Sequence, residues 1–383
     1  MTLCTSKTKL QVFAPPSLSE ELATIKSNSP VNIKGVKVDF ADDVEHLGVI
    51  RSVHGNSANL LERISKHKDA LGAVLHTGMA RNHRGNPAAS LRTDKVFGSS
   101  VLFSGLGSLY LKREEIDKLD SHFNTNLQNL MRLHPRTPRC VITFLAGSLP
   151  GCAVLHLRQF SLFGMIIQQT GTHLAELADE VLTCSKKNAN SWFHQIRDLS
   201  LQYSLPHPLS LLSEPLSKFT YKNLVKKKIL NYWEIKLRSE AASSELSSLV
   251  YFHPEFYSLS KPHPLWSTAG SSPYQVSKAI VQGKMLSGRY RTQRLMRFWT
   301  KNKEGVCLLA SCSGQKTPED LVHILAHCGS LDDTRAGLLR FTSKISLGLE
   351  PIKTILNEYA NTQHPLFTQF MVDCSCLPQV ICS

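Results

Sequence analysis

Cys307, Cys312, His323 and Cys328 stand in the pattern C-x4-C-x10-H-x4-C. Three soft thiolates and one imidazole are a donor set for tetrahedral zinc. The spacing puts Cys307 and Cys312 on a short turn and His323 and Cys328 in or just after a helix predicted over Glu319 to His327, so a knuckle and a helix share one ion. The first loop is longer than the commoner C-x2-C, and His327 or Cys374 are alternative donors. No candidate for an open coordination position is evident, which favours a closed, structural zinc site over a catalytic one. The competing reading is scattered buried cysteines acting as small hydrophobes.

A basic run from Lys278 to Lys303 precedes this box. Lys284, Arg289, Arg291, Arg294, Arg297 and Lys301 are candidate phosphate contacts, and Tyr290, flanked by two arginines, is a candidate base-stacking ring, as are Phe298 and Trp299. Arginine grips phosphate through two parallel donors, and aromatic rings stack bases without regard to sequence. The alternative is an amphipathic helix with Met285, Leu286, Leu295, Met296, Phe298 and Trp299 in the core and its charges merely solvated. The net charge of +14 favours a polyanionic partner, RNA or DNA, because each neutralised phosphate releases condensed counterions.

Other chemistries find little support. No G-x-S-x-G elbow, G-x-x-x-x-G-K-[ST] loop or G-x-G-x-x-G loop occurs, and Gly105-Leu106-Gly107 lacks the third glycine. Phe40-Ala41-Asp42-Asp43 is like the aromatic-x-Asp-Asp turn that holds two metal ions in a polymerase palm. Only 39 residues precede Phe40, too few for the strand that carries the third carboxylate, so a solvated acidic turn is expected. His134, His156, His194, His207 and His263 are isolated or beside proline, and none is assigned a role.

The elements that must position these groups are mainly helical. Lys9 to Phe13 alternates, and Val31-Asn32-Ile33 and Val36-Lys37-Val38 flank Lys34-Gly35 as a hairpin would. After Gly55 apolar residues keep three-to-four spacing over Leu60 to Leu75 and Ile116 to Leu130, then over Val154 to Ile167, Leu174 to Cys184 and Trp192 to Leu201. Gly147-Ser148-Leu149-Pro150-Gly151 breaks the helical sets at a packing joint, and Leu205 to Pro215 is expected to be an extended linker because X-Pro steps disfavour helix. Leu216 to Glu240 is a basic helix, and Val250 to Pro273 an aromatic connector. Ten cysteines without a secretory core after Met1 fit a reducing compartment, so an intracellular setting, nucleus or cytoplasm, is expected. No apolar run approaches the roughly 18 residues of a span, so no membrane partner is expected.

The order of several short motifs resembles the downstream part of the reverse transcriptase of non-LTR (LINE-type) retrotransposons. Lys7 to Phe13 resembles the strand after the palm's catalytic hairpin, and Glu45-His46-Leu47-Gly48-Val49 the primer grip. Leu60 to Leu75 resembles a thumb helix. Gly147 to Gly151, Ser191-Trp192-Phe193, and Leu286 to Arg291 followed by the Cys/His box resemble the region that ends in a zinc knuckle. The resemblance implies a palm and primer-grip remnant over residues 1–50, a helical thumb-like region over 51–204, and a basic helical C-terminal region over 216–383 with the knuckle near 307–328. In such elements the aromatic-x-Asp-Asp box precedes the Lys-Thr-Lys strand, whereas Phe40 follows it, so Asp42 and Asp43 are not the catalytic pair.

The expectation is therefore a mainly α chain, non-enzymatic by itself: a fragment or domesticated derivative of a transposable-element polymerase that binds nucleic acid. Two rivals remain, the tail of an active RNA-directed DNA polymerase whose palm lies elsewhere, and a protein-interaction module.

Overall fold

Helices dominate because apolar residues recur every three to four positions over long stretches, and only a short N-terminal segment alternates. The computed structural model describes residues 9–12, 20, 21, 24, 31–33, 36–46, 49–53, 55–74, 85–169, 171–184, 191–243, 252, 254, 257–270, 272–297, 304–312 and 315–333. Lys301, Phe298, Trp299 and Cys374, and the Leu47-Gly48 centre of the primer-grip match, lie outside them.

Five short strands come first: β1 (Lys9–Leu10), β2 (Val31–Ile33), β3 (Val36–Phe40), β4 (Asp43–His46) and β5 (Val49–Ser52). β3 pairs with β2 antiparallel, with Val31 opposite Val38, and with β1 in parallel. β4 and β5 form a separate hairpin. Asp42 and Asp43 enter β4 exposed to solvent, where an acidic turn belongs.

The helical body follows as α1 (Ser57–Val74), α2 (Pro87–Thr93), a π turn (Asp94–Gly98), α3 (Ser99–Leu102), α4 (Arg113–Leu130), α5 (Arg139–Ala146), α6 (Gly151–Ile166), α7 (His173–Cys184) and α8 (Trp192–Gln202). α9 (Pro208–Ser213), α10 (Lys218–Ala242), α11 (Pro264–Thr268), α12 (Pro273–Leu286) and α13 (Gln293–Met296) complete it. α5 and α6 are the most buried, with α4 and α10 packed against them. Among the described residues no single helix is long and apolar enough to cross a membrane; α5 and α6 qualify only as a pair bent by 59°.

The bend is built into the Gly147–Gly151 breaker. Gly147 closes α5 at φ +59°, and a Cβ there would lie 1.9 Å from the Lys261 carbonyl carbon, so glycine is required by conformation and by space. Pro150 then opens α6. Leu205 to Pro215 is not an extended linker: His207 and Pro208 start α9, whose Leu211 is buried in the core shared with α10. The nitrogen-bearing ring of His207 accepts the Leu209 amide, giving the helix its cap. α10 is capped by Ser217, whose hydroxyl accepts the Thr220 amide at 3.2 Å. Ser217→Ala is expected to destabilise the fold by about 1 kcal/mol in urea titrations followed by circular dichroism.

One buried polar network joins α1, α4 and the π turn. The Asp94 carboxylate accepts from Asn126 at 2.8 Å and faces His67 Nε2 at 3.3 Å, while His67 Nδ1 meets His122 Nε2 at 2.9 Å. With His67 Nε2 donating to the carboxylate and Nδ1 accepting, the second bond is donated by His122 Nε2.

Candidate metal centre and basic surface

The metal module begins with a tight pairing. Gly305, at φ +63°, lets the chain pass against Arg294, where a Cβ would lie 2.9 Å from the Arg294 Cα. Val306 and Pro318 then form an antiparallel bridge, with the Cys307 amide donating to the Thr317 carbonyl at 2.9 Å. A 3-10 turn, Ala310–Cys312, carries the second cysteine. Leu321 and Val322 lead into a π turn, His323–His327, close to the helix expected over Glu319 to His327, and Cys328 follows it directly.

These elements bring all four expected ligands together. Cys307, Cys312, His323 and Cys328 are buried, and their ligand atoms lie within 4.8 Å of one another. Tetrahedral zinc, with bonds of about 2.3 Å to sulfur and about 2.0 Å to nitrogen, has edges of about 3.8 Å between sulfurs and about 3.5 Å between sulfur and nitrogen. The Sγ atoms of Cys307 and Cys328 are 3.9 Å apart and those of Cys312 and Cys328 3.7 Å, and Cys312 Sγ lies 3.5 Å from His323 Nε2. The described residues thus form a Cys3His cluster able to hold a metal ion and compatible with zinc. His327, the neighbouring alternative, is exposed and outside the cluster.

Burial and local hydrogen bonds set the acidity of the three sulfurs. Burial, reinforced by the Cys328 sulfur and Glu319, pushes the Cys307 thiol up to about 12, and burial raises Cys328 too. At Cys312 burial is outweighed by hydrogen bonds from Ser311 and the neighbouring thiols, which lower its pKa. Packing three thiols this closely is the arrangement a divalent cation neutralises, by holding them as thiolates.

The same module anchors the basic segment. The Gln293 amide donates to the Glu319 carboxylate at 2.8 Å and the Arg294 amide to the Glu319 carbonyl at 3.1 Å. Asp320 uses both oxygens: Oδ2 pairs with the Arg294 guanidinium at 3.0 Å, and Oδ1 accepts the amide of the ligand His323 at 2.8 Å. Glu319 and Asp320, neither singled out in the sequence, are thus the joint. Their signal was available, since Asp three residues before a helical His is a capping position.

The cations do not lie on one helix. α12 ends at Leu286, Gly288 turns the chain at φ +63°, and Thr292 caps the short α13 through the Leu295 amide. Met285 and Leu286 are fully buried, as an amphipathic face requires, and Lys284 is half-buried. Tyr290 is only 7% exposed, so its ring packs in the core and does not present a stacking face. Arg291, Arg294 and Arg297 are exposed and Arg289 is half-buried.

A cleft of about 720 Å3 lies elsewhere, lined in part by Asp120, Arg139, His156 and Trp233. There Arg139 bridges Asp120 and Glu240 at 2.9 Å each and lies 5.5 Å over the Trp233 ring. Compared with known proteins, the chain matches no family model, no curated protein and no solved structure.

Proposed function

We propose that the chain binds RNA or DNA through the basic segment from Lys284 to Lys301, held in place by a structural zinc site at Cys307, Cys312, His323 and Cys328. In this reading it is a non-catalytic fragment or derivative of a LINE-type reverse transcriptase, working inside the cell. The observation that carries it is the Asp320 joint, where one carboxylate links Arg294 of the basic segment to His323 of the Cys3His cluster. A metal that fixes the ligand turn fixes the arginine-bearing segment with it. Arg291 and Arg297 then project from an ordered surface, which lowers the entropy lost when they engage phosphate.

The salt dependence of binding tests it. Each backbone contact contributes about 0.7 to the slope of log K against log salt for a single strand and about 0.9 for a duplex. Replacing Arg289 and Arg291 together by alanine is expected to weaken binding alike for all sequences and to reduce the slope by about 1 to 2. An unchanged slope, or binding that persists at high salt, would instead indicate a protein-docking surface. Primer extension by the purified chain is expected to give no incorporation.

A further inference from the structure

The cations of the basic segment have neighbours from a distant part of the chain. α4 ends at Leu130, and the loop after it carries Arg132, His134 and Arg136 before α5 begins. α12 packs against this loop: Gly283 sits where an added Cβ would lie 3.3 Å from Leu133 and 2.9 Å from Trp266. The ends of α4 and α12 therefore bring Arg132, Arg136, Lys284, Arg289 and Arg291 together around His134. The charges acting on His134 are Arg289, Arg136, Arg291 and Lys284, every one positive. Together with burial, the larger cause, they hold its imidazole below its ordinary pKa. Lys284 is lowered likewise, first by burial and then by Arg291 and Arg132.

Such a gathering of like charge is unfavourable unless something offsets it. The partial negative charges at the C-termini of α4 and α12 offset some of it. Arg132 stands at φ +54°, the left-handed residue that closes α4, with the Leu133 amide donating to the Gln128 carbonyl at 3.1 Å and the Arg132 guanidinium to the Gly85 carbonyl at 3.3 Å. Arg289 Nε is buried and has no hydrogen-bond partner among the described residues. The loop is also held rigidly: the Arg136 amide donates to His134 Nδ1 at 3.1 Å, the Thr137 amide to the His134 carbonyl at 2.9 Å, and the Gln128 side chain to that same carbonyl.

We infer that Arg132, His134 and Arg136 form, with Lys284, Arg289 and Arg291, one phosphate-binding site, so that the nucleic-acid backbone runs across the joint between the α4–α5 loop and the end of α12. This rests on the proposed nucleic-acid binding and extends it to residues more than 140 positions upstream of the basic run. The planar guanidinium groups of Arg136 and Arg291 grip the phosphodiester oxygens, and Arg289 Nε donates from the floor.

The test measures binding of a fluorescein-labelled oligo-uridylate by fluorescence anisotropy across a salt series, for the full chain and for Arg136→Ala, Arg136→Lys and Arg291→Ala. Arg136 is exposed, so its replacement leaves the core intact, and circular dichroism melts verify this for each variant. The expected result is that Arg136→Ala and Arg291→Ala each lower the slope by about 0.7, and that Arg136→Lys restores most of it because a point charge still releases counterions. The His134 ring resonances are expected to shift on addition of the oligonucleotide. If Arg291→Ala lowers the slope while Arg136→Ala does not and the His134 signals stay fixed, this inference is overturned and the proposed function stands. If the unaltered chain shows no salt-dependent binding, both are overturned.

Discussion

Cys312→Ser is expected to abolish zinc binding, whereas the unaltered, reduced protein holds one zinc per chain by atomic emission. Cys312 is the ligand best placed for this test, since its sulfur lies within 3.7 Å of Cys328 Sγ and 3.5 Å of His323 Nε2. Removing it deletes one corner of the tetrahedron and leaves the remaining donors buried without a charge-balancing ion. Structural zinc sites in small modules are worth on the order of 10 kcal/mol of apparent binding free energy at neutral pH. Leu321, Ile324, Leu325 and Leu331, the buried apolar residues beside the ligands, join the core of the helical body but are too few to replace that sum. Chelation should therefore unfold residues 305–331 locally, seen as loss of amide protection, while the helical body persists. A folded, reduced sample without metal, or full zinc occupancy in Cys312→Ser, would reject the site.

Acid is expected to weaken the helical body steeply between about pH 6.5 and pH 4. The cause is two buried histidines that are neutral in the native state. The Tyr203 hydroxyl accepts from Trp233 Nε1 at 3.1 Å and shares a 2.7 Å hydrogen bond with His156 Nδ1, in an apolar surrounding where the ring must stay neutral. His263 Nδ1 accepts the Leu265 amide at 3.0 Å, capping α11, under the same constraint. Burial lowers each ring from 6.5 to about 4.

Between these values the unfolded chain binds protons that the native chain does not, so stability rises with pH. It is complete above about pH 7 and declines as pH falls through 6.5. At pH 5 each histidine lies about 1.5 units below its unfolded pKa and costs about 2 kcal/mol, so the pair costs about 4 kcal/mol. His122 acts in the same direction, lowered to about 4 by burial and then by His67. Urea titrations of the chelator-treated protein at pH 7.5 and pH 5 measure the loss apart from metal release. His263→Asn keeps a capping acceptor without titrating, and should remove about half of the pair's contribution. Equal stability at both pH values would contradict the assignment.

Much of the helical body is legible in the sequence. α1, α4, α6, α7, α8 and α10 fall within a few residues of the expected stretches, because long amphipathic or fully apolar periods leave little ambiguity. The Val31/Val38 hairpin is legible because two short alternating runs flank Lys34-Gly35. α5 is not, since its eight residues are nearly all buried and show no polar face. α9 is obscured by prolines that begin a helix as readily as they forbid one, His207-Pro208 being a cap and first turn.

At the site, the ligand spacing is legible because it is local in the chain. The chemistry of Tyr290 is not: its flanking arginines suggest a surface ring, whereas the turn at Gly288 directs it into the core. The partnership of Arg136 with Arg289 is equally invisible, since it depends on two helices ending at the same place.

The most direct measurement is the affinity of zinc-loaded and chelator-stripped protein for oligo-uridylate across a salt series. Contacts from Lys284, Arg289, Arg291 and Arg297 predict a slope of about −3 for the loaded protein, and about −3.5 with Arg136. Stripping should weaken binding and flatten the slope as the Asp320 joint is released. Binding that ignores both salt and zinc, or no binding at all, would contradict a zinc-anchored nucleic-acid surface.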